Sequence, residues 1–347
     1  MVVFADSGVR LRPRCACVDV HTHVVPENFP AYVGSSASVP WPSMQPADLA
    51  CHRQVMISGK HYRTVRDAAW SAPRRLEGMR EMDVDVQVLS PMPELLSYWL
   101  PLTDAKVLIR YINEQIAAIA AISPERFVGL GGVPLQDLDT AIAELEYVTG
   151  QLGFAGVEIA SHVNGTSIGD PRFEPFFARA AALGAAVFVH ALRPSGRERI
   201  VGDVPEQIVC FPGDIALAAA SMITGGIAIR HPTLRIAFSH GGGGFAMLLP
   251  RLVAGWQQNP KMREAVSESP DLAARRFFYD SLVFSSVALH FLADSVGSSQ
   301  IMLGSDFPFG MGDKDPVRRL VQSKLQPHEL SAMLSENALR FLGRSPA

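Results

Sequence analysis

Eight short apolar or β-branched runs recur along the chain, most of them followed by a longer stretch of helical periodicity, and this alternation limits the possible folds most. The runs lie at residues 15–23, 84–90, 127–134, 156–160, 185–191, 235–241, 277–280 and 301–306. Several are continuously apolar, as strands buried on both faces must be. Helical patterns occupy 104–122, 138–151, 173–183, 205–223 and 287–296. The pattern predicts an α/β fold closed as a (β/α)8 TIM barrel. A doubly wound sheet would instead want a glycine-rich phosphate turn after its first strand, and none is present. The run Gly241–Gly244 lacks Walker spacing and the following Lys-Ser/Thr, and is expected only to let the backbone pass close to a site.

The 347 residues fit one such domain spanning 1–347, with an insertion subdomain at about 24–75. That insertion is rich in Pro and Ser, carries strand-like pieces at 54–57 and 61–65, and is predicted to form a small β unit over the barrel mouth. An amphipathic helix is expected at 329–342. Hydrophobic residues make up 48% of the chain, enough for a large core, and charge is balanced at 31 basic against 34 acidic residues. No charge block points to nucleic acid or to a membrane surface, and no apolar run is read as a membrane span. Residues 1–5 are too short for a signal-peptide core. Of the four cysteines, Cys15, Cys17, Cys51 and Cys210, the first two fall on one face of the first strand and are read as buried reduced thiols rather than a redox or zinc pair, and a cytoplasmic enzyme is the default expectation.

Barrels of this kind carry their chemistry at the C-terminal strand ends. The first strand ends in Asp19-Val-His21-Thr-His23, whose two imidazoles at i and i+2 share a face. The fifth ends in His190, the sixth in His240 and the eighth in Asp306. One His-x-His is weak evidence, since a lone buried histidine is more often a core residue than a ligand. Four of ten histidines and an aspartate at the same end of four strands argue for a metal site instead. Three nitrogens and one carboxylate suit zinc, with a position left open for water.

With these residues in view, the chain resembles the amidohydrolase superfamily, in its branch of non-oxidative decarboxylases related to α-amino-β-carboxymuconate-ε-semialdehyde decarboxylase (ACMSD). The resemblance rests on Asp19-Val-His-Thr-His23, Gly59-Lys-His-Tyr-Arg63, Arg80-Glu-Met-Asp-Val-Asp-Val-Gln-Val88 and Phe127-Val-Gly-Leu-Gly131. It continues through Phe188-Val-His190, Ser239-His-Gly-Gly-Gly-Gly-Phe245 and Leu303-Gly-Ser-Asp-Phe-Pro-Phe309, and so covers residues 17 to 343.

The resemblance implies that His21, His23, His190 and Asp306 hold one divalent ion, with Zn2+ the first choice and Mn2+ or another divalent ion the alternative, and no organic cofactor. Asp306 is chiefly a ligand, with a secondary part as base. His240 becomes the acid/base working with metal-bound water, a task an imidazole can perform near neutral pH. Arg63 and Arg251 would bind substrate carboxylates, which a guanidinium grips with paired hydrogen bonds, and Phe309 would help hold the substrate. Arg251 would reach the neighbouring subunit's site, so a homodimer is implied.

The branch places Pro-Trp after the fifth-strand histidine, whereas this chain has Ala191-Leu192-Arg193-Pro194. Arg193 is therefore a further candidate for substrate binding, toward a second carboxylate, a nitro group or a phenolate. The expected activity is decarboxylation of an aromatic or muconate-type carboxylic acid. A hydrolase opening a lactone or amide ring is the alternative, and a binding protein without chemistry would have lost ligands, which this chain has not. His162 is read as structural. His52, His61, His231, His290 and His328 are given no chemistry.

Overall fold

Eight strands lie side by side in parallel in the computed structural model, which describes residues 16–34 and 39–344. They are β1 (Val18–Val24), β2 (Val86–Pro91), β3 (Phe127–Gly132), β4 (Gly156–Ala160), β5 (Ala186–His190), β6 (Arg235–Phe238), β7 (Phe278–Asp280) and β8 (Ile301–Met302). Pairing follows chain order. The ring closes where β8 returns beside β1, through Val20 N–H to Leu303 O at 2.9 Å and a parallel bridge between Thr22 and Phe307. The barrel read from the sequence is the one that forms. Cys15 and residues 1–5 lie outside the described residues.

Helices cover the outside, and their ends follow local chemistry. Leu138–Gly150 starts where the Asp137 carboxylate accepts Thr140 N–H at 3.0 Å, and Glu174–Leu183 stops at Gly184 with φ 61°. One correction concerns Glu206–Thr224, which is long and apolar enough to cross a membrane, although the sequence was read as having no such run. Half of its apolar window is buried inside the protein, as in a core helix.

The barrel interior is filled by Val18, Val20, Val88, Leu130, Phe188 and Met302, among others, and Ala338, Phe341 and Leu342 close its floor. Those last three come from the C-terminal helical segment, which runs from Pro327 to Leu342 with a π turn at Ala332–Glu336. The turn leaves Met333 O available to accept Leu303 N–H at 2.9 Å, tying the plug to β8.

Two strands that lead into the site end three or more residues short of their apolar runs. Residues 235–241 form a strand only to Phe238, because His240 to Gly243 all take positive φ. A Cβ on Gly243 would meet Pro212 O at 1.9 Å, so glycine is required there. Residues 301–306 form a strand only to Met302, after which the chain bends so that Asp306 N–H reaches His21 O at 2.8 Å.

The insertion is the expected β unit, with Pro42–Pro46, His52–Ile57 and Lys60–Arg66 pairing antiparallel. Ser58 and Gly59 make its two-residue turn, with φ 53° and 71°. Val55 pairs with Arg63 and Met56 with His61, so Tyr62 is an extra residue whose bulge re-aims the strand carrying Arg63.

Candidate metal centre

A register shift between Asp19 and Thr22 changes which side chains of β1 face inward. Val18 and Val20 fill the interior low in the barrel, while above them the His21 ring packs on Phe188 with centroids 5.1 Å apart. The buried Arg75 guanidinium braces this strand from behind, donating to His23 O, to Thr22 Oγ1 at 3.3 Å and to Gln87 Oε1 at 3.1 Å. Asp19 holds the other side, accepting Ser305 N–H at 3.1 Å and the Ser305 hydroxyl at 2.5 Å. Burial raises the Asp19 carboxyl to about 7 against these donors.

Each metal-facing histidine is held through Nδ1 by an acceptor. His21 Nδ1 lies 2.7 Å from Asp280 Oδ2, His23 Nδ1 3.0 Å from Pro91 O, and His190 Nδ1 2.8 Å from Ala191 O. Acceptors at Nδ1 place the proton there and leave a lone pair on every Nε2. Those lone pairs face one another: His21 Nε2 is 3.1 Å from His23 Nε2, and Asp306 Oδ1 is 3.1 Å from His23 Nε2 and 3.5 Å from His21 Nε2. His190 Nε2 is buried without any hydrogen-bond partner. Four electron-rich atoms within 4.8 Å of one another call for a cation. The imidazole of His21 shows the same demand. Burial opposes its charge, yet the Asp280 hydrogen bond and the charges of Asp280, Asp306 and Glu158 raise it to about 9. The residues therefore fit a divalent ion in the set read from the sequence, His21, His23, His190 and Asp306.

His240 sits beside this set, its ring centroid 5.0 Å from His190 and 5.3 Å from His21. Its Nδ1 is 2.9 Å from Ser239 Oγ, and its backbone N–H donates to Asp280 Oδ2 at 2.8 Å. Burial first, and the charge of His21 second, lower this imidazole to about 4, against the pull of Asp280 and Asp306.

Above the ligands opens a cavity of about 690 Å³ lined by His190, His240, Asp306, Phe309, Arg63 and Arg193, among others. Phe309 stacks on His23, with centroids 5.1 Å apart and planes at 19°. The Arg63 guanidinium lies over the other part of that stack, 4.1 Å from the Phe309 centroid. Arg193 also faces the cavity but is paired with Glu94. Arg251 is exposed on the helix Phe245–Gln258 and does not line the cavity of its own chain. His162 holds a backbone carbonyl rather than lining the cavity, as read, while His52 does line the rim.

Two residues missed in the sequence complete the centre. Asp280 ends β7, so the strand-end rule that found the ligands also reached it. Glu158 on β4 is fully buried, 2.6 Å from Ser90 Oγ and 3.7 Å from His23 Nδ1, and burial raises it to about 8. A glutamate inside an apolar run carries no signal that distinguishes it.

A parallel eight-stranded barrel whose strand ends hold three imidazoles and a carboxylate around one point is a metal-dependent barrel enzyme. The chain belongs to the amidohydrolase family, which matches it over residues 18–344. A 2-amino-3-carboxymuconate-6-semialdehyde decarboxylase of Dictyostelium discoideum is 35% identical over 332 residues, covering 95% of this chain and 92% of that one. The crystal structure of 5-carboxyvanillate decarboxylase from Sphingomonas paucimobilis matches with a TM-score of 0.71 at 27% identity, covering 78% of this chain and 83% of that one. A dihydroxybenzoic acid decarboxylase from Polaromonas sp. JS666, solved with bound manganese and 2-nitroresorcinol, shares the fold. Its TM-score is 0.71 at 20% identity, covering 78% of this chain and 85% of that one.

Proposed function

We propose that the protein is a metal-dependent non-oxidative decarboxylase of an aromatic or muconate-type carboxylic acid. The observation that carries this reading is the stack of Arg63, Phe309 and His23, which places a permanent cation and an aromatic face directly beside the ligand set. Arg63 lines the cavity against the rings of Tyr62 and Phe309, and no carboxylate among the described residues pairs with it, which leaves it able to bind that of a substrate. Phe309, Leu192, Phe211 and Leu282 give the cavity apolar walls that suit a planar acid and exclude water.

A divalent ion bound by the four ligands supplies Lewis acidity, orienting substrate oxygens and stabilising developing negative charge. His240, neutral at rest, takes a proton from water in the cavity and delivers it to the carbon bearing the carboxylate. The new C–H bond draws on a π pair of the substrate; the C–C bond then breaks, its electron pair restores that π bond, and CO2 leaves. Zn2+ is the proposed ion, because borderline-soft imidazoles outnumber the carboxylate; manganese in a relative of the same fold makes it the second choice.

Arg251 shares an exposed helix face with Met247 and Leu248, and this mixed surface supports a homodimer in which Arg251 enters the partner's cavity. Buried cysteines at 17 and 210 support a reducing, cytoplasmic setting. The deciding experiment loads the protein with Zn2+ or Mn2+ and incubates it with hydroxybenzoates, aminobenzoates, muconate semialdehydes and lactones. Release of CO2 with a product lighter by that mass supports the decarboxylase. A product heavier by one water without CO2 makes the protein a hydrolase.

A further inference from the structure

Arg193 departs from the branch's pattern, and its surroundings are built to hold it. Its φ is 46°, a conformation that non-glycine residues adopt only when the surroundings impose it. Three separate elements do so. The turn Pro93–Leu96 provides Glu94, whose Oε1 accepts both Nε at 3.0 Å and Nη2 at 2.5 Å. Trp99 lies against the guanidinium, 3.2 Å from ring centroid to Cζ. His162 accepts Gly165 N–H at Nδ1, so its Nε2–H donates, and it reaches Arg193 O at 3.2 Å.

The result is a guanidinium fixed on one edge and one face. Its side chain stays 46% exposed, while Glu94 is only 5% exposed behind it. Nη1 has no protein partner among the described residues, and the residue lines the same cavity as the metal ligands. Arg63 and Arg193 thus differ in kind. Arg63 is uncompensated and can neutralise a full carboxylate. The charge of Arg193 is already balanced by Glu94, and what remains is a rigid pair of N–H donors.

We infer that Glu94, Trp99 and Arg193 form a specificity subsite for an uncharged or weakly charged oxygen of the substrate, a ring hydroxyl or carbonyl distant from the carboxylate that Arg63 binds. The inference rests on the cavity being the substrate site, as proposed above. Burial pushes the Glu94 carboxyl above its usual range and the Arg193 hydrogen bond opposes that rise, consistent with a pair that needs each member.

The test is calorimetric titration of the Zn2+-loaded, full-length protein with benzoate, 3-hydroxybenzoate, 4-hydroxybenzoate and isophthalate. A hydroxybenzoate is expected to bind about tenfold tighter than benzoate, the scale of one hydrogen bond to a charged donor. Arg193→Met removes that advantage and leaves benzoate unchanged. The double variant Arg193→Met/Glu94→Gln, which leaves no buried charge unpaired, does the same. Glu94→Gln alone uncovers the Arg193 charge and shifts preference toward isophthalate. Hydroxyl preference that persists in both Arg193 variants overturns the subsite and leaves the decarboxylase reading standing. Failure of all four acids to bind overturns the subsite as a reader of benzoic acids, while the decarboxylase reading stands or falls separately on CO2 release from the wider panel.

Discussion

The Asp280 carboxylate touches His21 Nδ1 at 2.7 Å and, through the same oxygen, accepts the backbone N–H of His240 at 2.8 Å. Its other oxygen accepts Gly241 N–H at 2.7 Å and Leu282 N–H at 3.0 Å. One side chain therefore orients a ligand and aims the proposed acid/base. Asp280→Asn keeps the volume but sets an NH2 group among donors. Affinity for Zn2+ is expected to fall ~10–100-fold, measured by competition with a chromophoric chelator. Unchanged affinity would mean that the Asp280 contact does not tune His21.

Removing Arg63 strips the cavity of its uncompensated cation. Arg63→Ala should raise KM for a carboxylic acid substrate by about 10- to 100-fold, while the zinc content stays the same. Arg63→Lys should restore only part of this, because an ammonium neither pairs bidentately nor lies flat on Phe309. Equal kinetics in the Ala variant and the parent would remove Arg63 from the site.

His240→Gln keeps a polar side chain beside the ligands and removes the titrating ring. Its kcat is expected to drop ~10²–10⁴-fold at full metal occupancy. A variant that retains most of its turnover would transfer proton delivery to another group, Asp306 being a candidate that lines the same cavity.

The pH profile follows from the direction of the His240 shift. Its proton-accepting form is lost only as pH falls through about 4, well below the 6.5 of a free imidazole. A bound cation is a like charge for imidazolium and acts in the same direction. The acid limb of kcat/KM in metal-saturated protein should therefore lie clearly below 6.5. A limb at or above that value would mean that the ring is better solvated than its burial indicates.

Periodicity and strand-end chemistry carried the barrel, the insertion, the ligands and His240, because each depends on residue type at a fixed place in a repeated unit. Glu158 and Arg75 were not legible. Their importance comes from burial against His23, and nothing local marks a single charged residue inside an apolar run or on a short helix. Arg193 stood out by type alone, but its partner Glu94 is distant in sequence and became visible only in the folded chain. The strand ends at Phe238 and Met302 were misplaced because glycine torsions and bonds to β1 override the apolar pattern there.

The floor of the barrel offers a test of stability apart from chemistry. Phe341 is fully buried beneath β1 to β8 and packs on Phe278, with centroids 5.5 Å apart. Phe341→Ala should cost about 3–5 kcal/mol in urea unfolding and leave the zinc affinity of the folded protein unchanged. A coupled loss of metal binding would show that the floor and the ligand end move together.

The four ligands come from the first and fifth strands of the ring and from the segment that follows the last strand. During synthesis His21 and His23 leave the ribosome early, but Asp306 follows only after nearly all of the barrel has been made. A nascent chain can bring together no more than part of the set, so the complete site exists only once the ring is nearly closed. An ion that satisfies the buried, unpartnered His190 Nε2 stabilises the closed ring, so cellular supply of the metal bears on how much barrel persists as well as on how much is active.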